Sequence, residues 1–265
     1  GQTLTSLQDS LLLQNKPSLI SALNFNTPIY FKENGLGMVA SPSFRGTNAS
    51  QTAVLWNGIN INSRFNGQTD FNTINTGSYD AINIRGGGGS VIYGTGAIGG
   101  TVHLTNEVDF KKQFRNRVYL SYGSFNTYDA RYQLTAAEKN WSTKISFSRN
   151  QSDNDFEYID TDQKNLNGAF YNNSLNAVFG YRFNENNTLK FYSEVFESER
   201  HFSLIRPSEN RTKYEDVSLK NLLEWEVSGE KITSIARFAY LKEEYKYFPN
   251  IETESFTFGE ANTVI

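Results

Sequence analysis

Residues 85–105 read RGGGGSVIYGTGAIGGTVHLT, and this stretch decides the fold. Val91, Ile92, Tyr93, Ile98, Val102 and Leu104 are strand formers set among Gly86 to Gly89, Gly94, Gly96, Gly99 and Gly100. Glycine at that density permits positive φ and close passage of one chain past another. The pattern predicts two short strands joined by a turn and packed tightly against a neighbour. Gly94-Thr-Gly96-Ala-Ile-Gly99 also spells G-x-G-x-x-G. A dinucleotide loop needs a helix to begin at those glycines, so that its amides face the pyrophosphate. Here the glycines run into Gly100-Thr101-Val102-His103-Leu104, which reads as strand, so they are structural glycines.

Outward from this stretch, a second segment carries related information. Phe44-Arg45-Gly46-Thr47-Asn48-Ala49-Ser50 is followed by Val54-Leu55-Trp56-Asn57-Gly58-Ile59. Arg85 with its glycines, Ser90-Val-Ile-Tyr93-Gly94 and Gly96-Ala-Ile-Gly99-Gly100 resemble the end of the plug domain of TonB-dependent outer-membrane receptors. The earlier segment is similar to that family's Arg-Gly segment, its following strand and its Asp-Gly turn. Asn57 stands where Asp is usual, and Asn-Gly suits the same positive-φ turn. The resemblance covers roughly residues 5–106 and is strongest toward the cobalamin-receptor branch.

Composition agrees with this class. The chain has 265 residues, 38% hydrophobic and 14% aromatic, which is room for one large domain or two. No stretch approaches the ~18–20 apolar residues of a membrane helix. That leaves a transmembrane barrel open, because barrel strands carry apolar residues only at alternate positions. A net charge of −3 argues against a nucleic-acid surface. With no cysteine there are no disulfides or thiolate sites.

The expected fold is an α+β plug domain followed by antiparallel transmembrane β-barrel strands. The expected boundaries are plug 1–108 with an incomplete N-terminus, linker 109–114, and the N-terminal portion of the barrel at 115–265. Within the plug, Ser6 to Leu13 and Leu19, Ile20 and Leu23 predict short helices, the last three sharing one helical face. Residues 29–33, 52–56 and 81–84 predict strands, and residues 61–70 a polar loop. From residue 115, alternation predicts about seven strands. Examples are Val118, Leu120 and Tyr122, then Trp141, Ile145 and Phe147, then Leu175, Phe179 and Tyr181. Connections alternate between short (136–140, 184–187, 228–231) and long and polar (151–172, 198–216), as in a barrel with short periplasmic turns and long external loops. Plugged transporters have ~22 strands, so about seven make a partial barrel.

The resemblance implies TonB-dependent import of a scarce nutrient across the bacterial outer membrane, with cobalamin or another corrinoid first and a ferric siderophore as the alternative. A passive porin or adhesin is the reading from another class, and it would lack the motifs at 44–59 and 85–101. The implied partners are TonB with its inner-membrane energising complex, outer-membrane lipid and a surface lipoprotein. The family's ligand lies on apical plug loops, which places Asn34, Leu36, Arg64, Phe65, Asn66, Gln68 and Asp70 as ligand-binding candidates. The family's plug arginines pair with acidic residues of the barrel wall. That gives Arg45 and Arg85 as anchors, with Glu224 and Glu226 as candidate partners or plug carbonyls as the alternative. Asp153, Asp155, Glu157, Asp160 and Asp162 crowd one external loop, where carboxylates can hold calcium or simply be solvated. No Gly-x-Ser-x-Gly, Walker A or His-Glu-x-x-His occurs, and the two histidines, His103 and His201, stand in a strand and a polar loop. The sequence therefore points to a non-enzyme.

Overall fold

The computed structural model describes residues 3–8, 19–20, 23, 27, 30–33, 37–43, 46–87, 95–204 and 209–265. The chain divides into two compact units, residues 1–106 and 107–265.

In the first unit, five strands form a mixed sheet in the order β1-β6-β7-β4-β5. They are β1 (Thr3–Gln8), β4 (Thr52–Trp56), β5 (Ile59–Asn60), β6 (Ala81–Gly86) and β7 (Gly100–Thr105). A separate hairpin pairs β2 (Tyr30–Glu33) with β3 (Ala40–Ser43). β4 and β7 run parallel, and the other neighbours are antiparallel. Every residue of β4 is buried, which explains its unbroken apolar run: a strand covered on both faces has no polar side to show. Asn57 and Gly58 both take positive φ, at 46° and 88°, closing the tight turn between β4 and β5.

β1 corrects the sequence reading. Residues 3–8 pair with β6 from Thr3↔Gly86 to Gln8↔Ala81, so this stretch is strand where a helix was expected. Leu7 faces the core, and the partner strand overrides a weak local helical signal. Leu19, Ile20 and Leu23 are helical and buried, as their spacing predicts. The predicted strand at 91–93 lies outside the described residues. Of the G-x-G-x-x-G stretch, Thr95–Ala97 is one 3-10 turn that leads into β7, and no α-helix starts there.

The two glycine-marked segments meet. Gly99 N–H donates to the Gln51 carbonyl, and a Cβ at Gly99 would collide with Thr47 Oγ1 and lie 3.1 Å from that carbonyl. A Cβ at Gly96 would lie 3.5 Å from the Ser50 carbonyl. The glycines let one segment pass against the backbone of the other, as their density predicts.

The second unit is an eight-stranded antiparallel meander, β8 through β15 in sequence order. Its strands are β8 (Gln113–Gly123), β9 (Thr127–Glu138), β10 (Trp141–Ser152), β11 (Phe170–Asn184), β12 (Asn187–His201), β13 (Lys213–Ser228), β14 (Thr233–Phe248) and β15 (Thr257–Val264). The alternation predicted about seven; Thr257–Val264, whose alternate residues include Gly259 and Ala261, is the additional strand. Along one edge of the sheet the connections are tight, at 139–140, 185–186 and 229–232. Along the other they are longer at 153–169, 202–212 and 249–256, and 124–126 is short.

Register assigns every strand residue to one of two faces. Phe179 pairs with Phe191, Phe191 with Leu223 and Leu223 with Phe238, forming an exposed apolar row four strands wide. The opposite face carries Ser142, Ser146, Ser148, Asn176, Glu194, Arg200 and Glu224, all buried. A soluble sheet would bury the first set and expose the second. This inversion is what a lipid-facing exterior demands. β11 to β14 run 15 or 16 residues, longer than the ~10 needed to cross a bilayer. Toward the long-loop edge their apolar face turns charged, with Glu199, Lys213, Glu215 and Lys246 linked by ion pairs, so this end continues beyond the apolar band.

Candidate functional site

The polar loop after β5 is built around Asn62. Its Nδ2 donates to the Thr52 and Gly67 carbonyls, both at 2.9 Å, and its Oδ1 accepts from Val54 N–H at 2.9 Å. The loop then closes on itself: Gly67 N–H donates to the Ser63 carbonyl at 2.9 Å, and Ser63 N–H to the Gln68 carbonyl at 3.1 Å. Gly67 takes φ 70°, the conformation that allows the reversal. Arg64, Phe65 and Asn66 are left exposed at the tip, with Gln68 half-buried beside them. The loop thus brings four of the ligand-binding candidates together. It offers a guanidinium, an aromatic face and two amides, a set suited to hydrogen-bonding an amide-rich or carboxylate-bearing ligand.

Asp70 has another task. Its Oδ1 accepts from Asn72 N–H at 3.0 Å and from Ala40 N–H at 3.1 Å, capping the 3-10 turn Phe71–Thr73 and tying it to β3. Asn34 and Leu36 lie outside the described residues.

Of the two anchoring candidates, Arg45 lies outside the described residues. Arg85 is exposed at the end of β6, opposite Thr101 of β7. Its charge acts on His103: burial first, then the Arg85 guanidinium, hold the imidazole pKa below its ordinary 6.5. His103 Nε2 lies 3.0 Å from Thr101 Oγ1. Among the described residues no carboxylate forms an ion pair with Arg85. Glu224 and Glu226 both face the polar side, as predicted, and both bind Lys190, at 3.0 and 2.7 Å; Glu224 also takes Arg237 at 2.7 Å.

The acidic residues of the 153–169 loop do not converge. Asp153 accepts from Asn126 Nδ2 at 2.7 Å, Asp155 pairs with Lys164 at 3.3 Å, and Asp160 sits in a turn at φ 59°. Among the described residues no three acidic or histidine side chains are grouped to hold a metal ion. Asparagines organise this loop instead. Asn165 Nδ2 donates to the Asn154 carbonyl and to Ser203 Oγ; Asn167 Nδ2 donates to the Phe202 and Thr212 carbonyls. Tyr158 OH donates to the Leu204 carbonyl at 2.7 Å, and burial, then the Glu209 charge, push its pKa up. The two long connections at 153–169 and 202–212 are therefore braced against one another. The acidic spacing gave no hint of this, because an asparagine that braces a loop reads in sequence like one that is merely solvated.

A short-stranded mixed unit with a polar loop, followed by a sheet with its apolar face exposed, defines a class. Residues 3–101 match the TonB-dependent receptor plug domain family. Residues 3–101 thus carry a plug domain of the TonB-dependent receptor kind, and a run of antiparallel strands with the fold of outer-membrane receptor barrels follows it.

Over 115 residues it is 30% identical to the vitamin B12 transporter BtuB of Vibrio vulnificus (strain YJ016), covering 43% of this chain and 18% of that relative. Among solved structures it is similar to the siderophore receptor PiuA from Acinetobacter baumannii, with TM-score 0.72 and 12% identity over 93% of this chain and 37% of that one. It is likewise similar to the copper transporter OprC, with TM-score 0.65 and 13% identity over 98% of this chain and 49% of that one. A ferric enterobactin receptor (PfeA) mutant from Pseudomonas aeruginosa gives TM-score 0.71 and 13% identity over 98% and 44%. At those identities the structures establish the fold alone. The chain spans about half or less of the length of these receptors.

Proposed function

We propose that this chain is part of a receptor that imports a corrinoid, cobalamin first, across the outer membrane in a TonB-dependent step. The observation that supports the substrate is the 30% identity over 115 residues to a vitamin B12 transporter. The apical loop supports it chemically. Arg64, Asn66 and Gln68 offer hydrogen bonds to amide and phosphate groups, and Phe65 offers an apolar face to a flat ring system. TonB and its inner-membrane energising complex supply the work, outer-membrane lipid surrounds the apolar face, and a surface lipoprotein is a further candidate partner. No catalytic step is needed. Arg45 and Arg85 act as plug anchors in this proposal, with a carboxylate partner for Arg85 supplied from outside the described residues.

A ferric siderophore is the second reading, favoured by the fold shared with PiuA and PfeA. Titration of the complete receptor with cyanocobalamin and with ferric siderophores separates the two. Corrinoid binding tighter than about micromolar is expected; its absence alongside tight siderophore binding would transfer the assignment.

A further inference from the structure

We propose that Asn62 is a positioning residue for nutrient binding: its amide fixes the tip Arg64-Phe65-Asn66 to the buried strand β4. The inference rests on the reading of this loop as a contact surface for the nutrient. It concerns a side chain that does not itself belong to the exposed tip.

The geometry leaves the amide one orientation. Nδ2 has two hydrogens, and both are used, on the Thr52 and Gly67 carbonyls. Oδ1 has two lone pairs, which accept from Val54 N–H at 2.9 Å and from Thr69 Oγ1 at 3.3 Å. A flipped amide would aim N–H groups at the Val54 N–H and leave two carbonyls without donors. Thr52 and Val54 are buried in β4, whereas Gly67 and Thr69 belong to the loop, so one side chain bridges the rigid sheet and the reversal. The backbone on either side is also held: Ile61 N–H donates to the Val54 carbonyl, and Asn62 N–H to Asn60 Oδ1, both at 2.9 Å. Further bonds within the loop shape the tip. Phe65 N–H donates to Ser63 Oγ and Gln68 N–H to Asn66 Oδ1, both at 3.1 Å. Asn62 links this tip directly to β4. A contact surface that is already oriented loses less freedom on binding.

Aspartate has almost the shape of asparagine and no donor when ionised, so Asn62→Asp sets a carboxylate against two carbonyls. The test uses the complete receptor with cyanocobalamin as probe. It compares wild type, Asn62→Asp, Asn62→Ala and the tip double variant Arg64→Ala/Phe65→Ala. In both Asn62 variants, amide exchange protection at Val54 and at 63–69 should fall about tenfold, with β6 and β7 unchanged. The dissociation constant should rise about tenfold with the tip residues intact. Asn62→Asp should also acquire a pH dependence that wild type lacks. When protonated, its carboxyl can donate to one carbonyl; once ionised it repels both. Binding should therefore weaken as pH rises from about 4 to about 7.

Unchanged protection in both Asn62 variants overturns the proposal. So does unchanged affinity in Asn62→Asp where the tip double variant binds weakly, an outcome that leaves the functional reading standing. If the tip double variant binds as wild type, the loop is not the contact surface and the functional reading of it fails. If wild type does not bind cyanocobalamin, the corrinoid assignment fails, and the exchange measurement alone upholds or overturns the link to β4.

Discussion

The plug and the strand sheet solve opposite problems with the same backbone chemistry. In the plug, β4 buries five consecutive residues, and asparagine side chains knit short strands together: Asn106 takes the Asn57 amide at 3.0 Å and donates to the Ser78 carbonyl. In the sheet, one face exposes apolar side chains and the other buries charged ones. Arg131 and Asp129 meet at 2.6 Å with both side chains almost fully buried, while Phe179 and Trp225 are exposed. The plug is stabilised by removing apolar surface from water. The sheet is stabilised by the antiparallel backbone hydrogen-bond ladder that runs from β8 to β15, with its apolar face left to lipid. Substitutions should therefore have opposite consequences in the two units.

The largest effect is expected where the sheet buries charge. Asp129→Ala leaves Arg131 buried without its carboxylate, and Arg131 Nη1 already has no hydrogen-bond partner. We expect about 3–5 kcal/mol of destabilisation of the complete receptor in bilayers, measured by urea titration. A loss below 1 kcal/mol would mean that water reaches this side of the sheet. Next is Phe179→Arg, in the middle of the exposed apolar row. It should cost about 2–4 kcal/mol in a bilayer and little in detergent that adapts to the charge. A soluble sheet would gain or lose nothing from an arginine at an exposed position, so an effect confined to the bilayer sharpens the contrast.

In the plug, Gly99→Ala should cost about 1–3 kcal/mol, because the new methyl meets Thr47 Oγ1 and the Gln51 carbonyl. Pairing it with Thr47→Ser tests the cause: removing the Thr47 methyl does not relieve an oxygen contact, whereas Thr47→Ala should recover part of the loss.

The smallest effect is a pH dependence. His103 is held below its ordinary pKa by burial and Arg85, so the unfolded chain takes up its proton first as pH falls. Between the unfolded and folded pKa values the unfolded state binds more protons, and plug stability must fall as pH drops below about 6.5. His103→Gln should flatten the profile below about pH 6.5, and Arg85→Ala, which brings the folded pKa back toward its ordinary value, should make the fall smaller. An unchanged profile in His103→Gln would place the acid sensitivity elsewhere.

Legibility differed between the units for a physical reason. Alternation is a period-two signal written along a strand, so the faces of β8 to β11, β13 and β14 could be read directly, while the pattern at 188–197 was less clean. β15 was missed because Gly259 and Ala261 carry no apolar contrast. In the plug, glycine density pointed to close packing, and Gly99 confirms it against Gln51. The strand at 3–8 could not be read, because its conformation is imposed by β6, far along the chain.

By itself, then, the sequence determined the division into a glycine-marked plug and an alternating sheet, the resemblance of the plug to a known family, and a polar loop at residues 61–70. Those features depend on residue type and local spacing. Only the tertiary structure decided that Asp70 caps a turn, that the acidic loop is braced by Asn154, Asn165 and Asn167, and that Asn62 ties the loop to β4. Hydrogen bonds of a polar side chain depend on which backbone groups arrive beside it. For Asn62 and Val54 those groups are eight residues apart, and for Asn167 and Phe202 thirty-five.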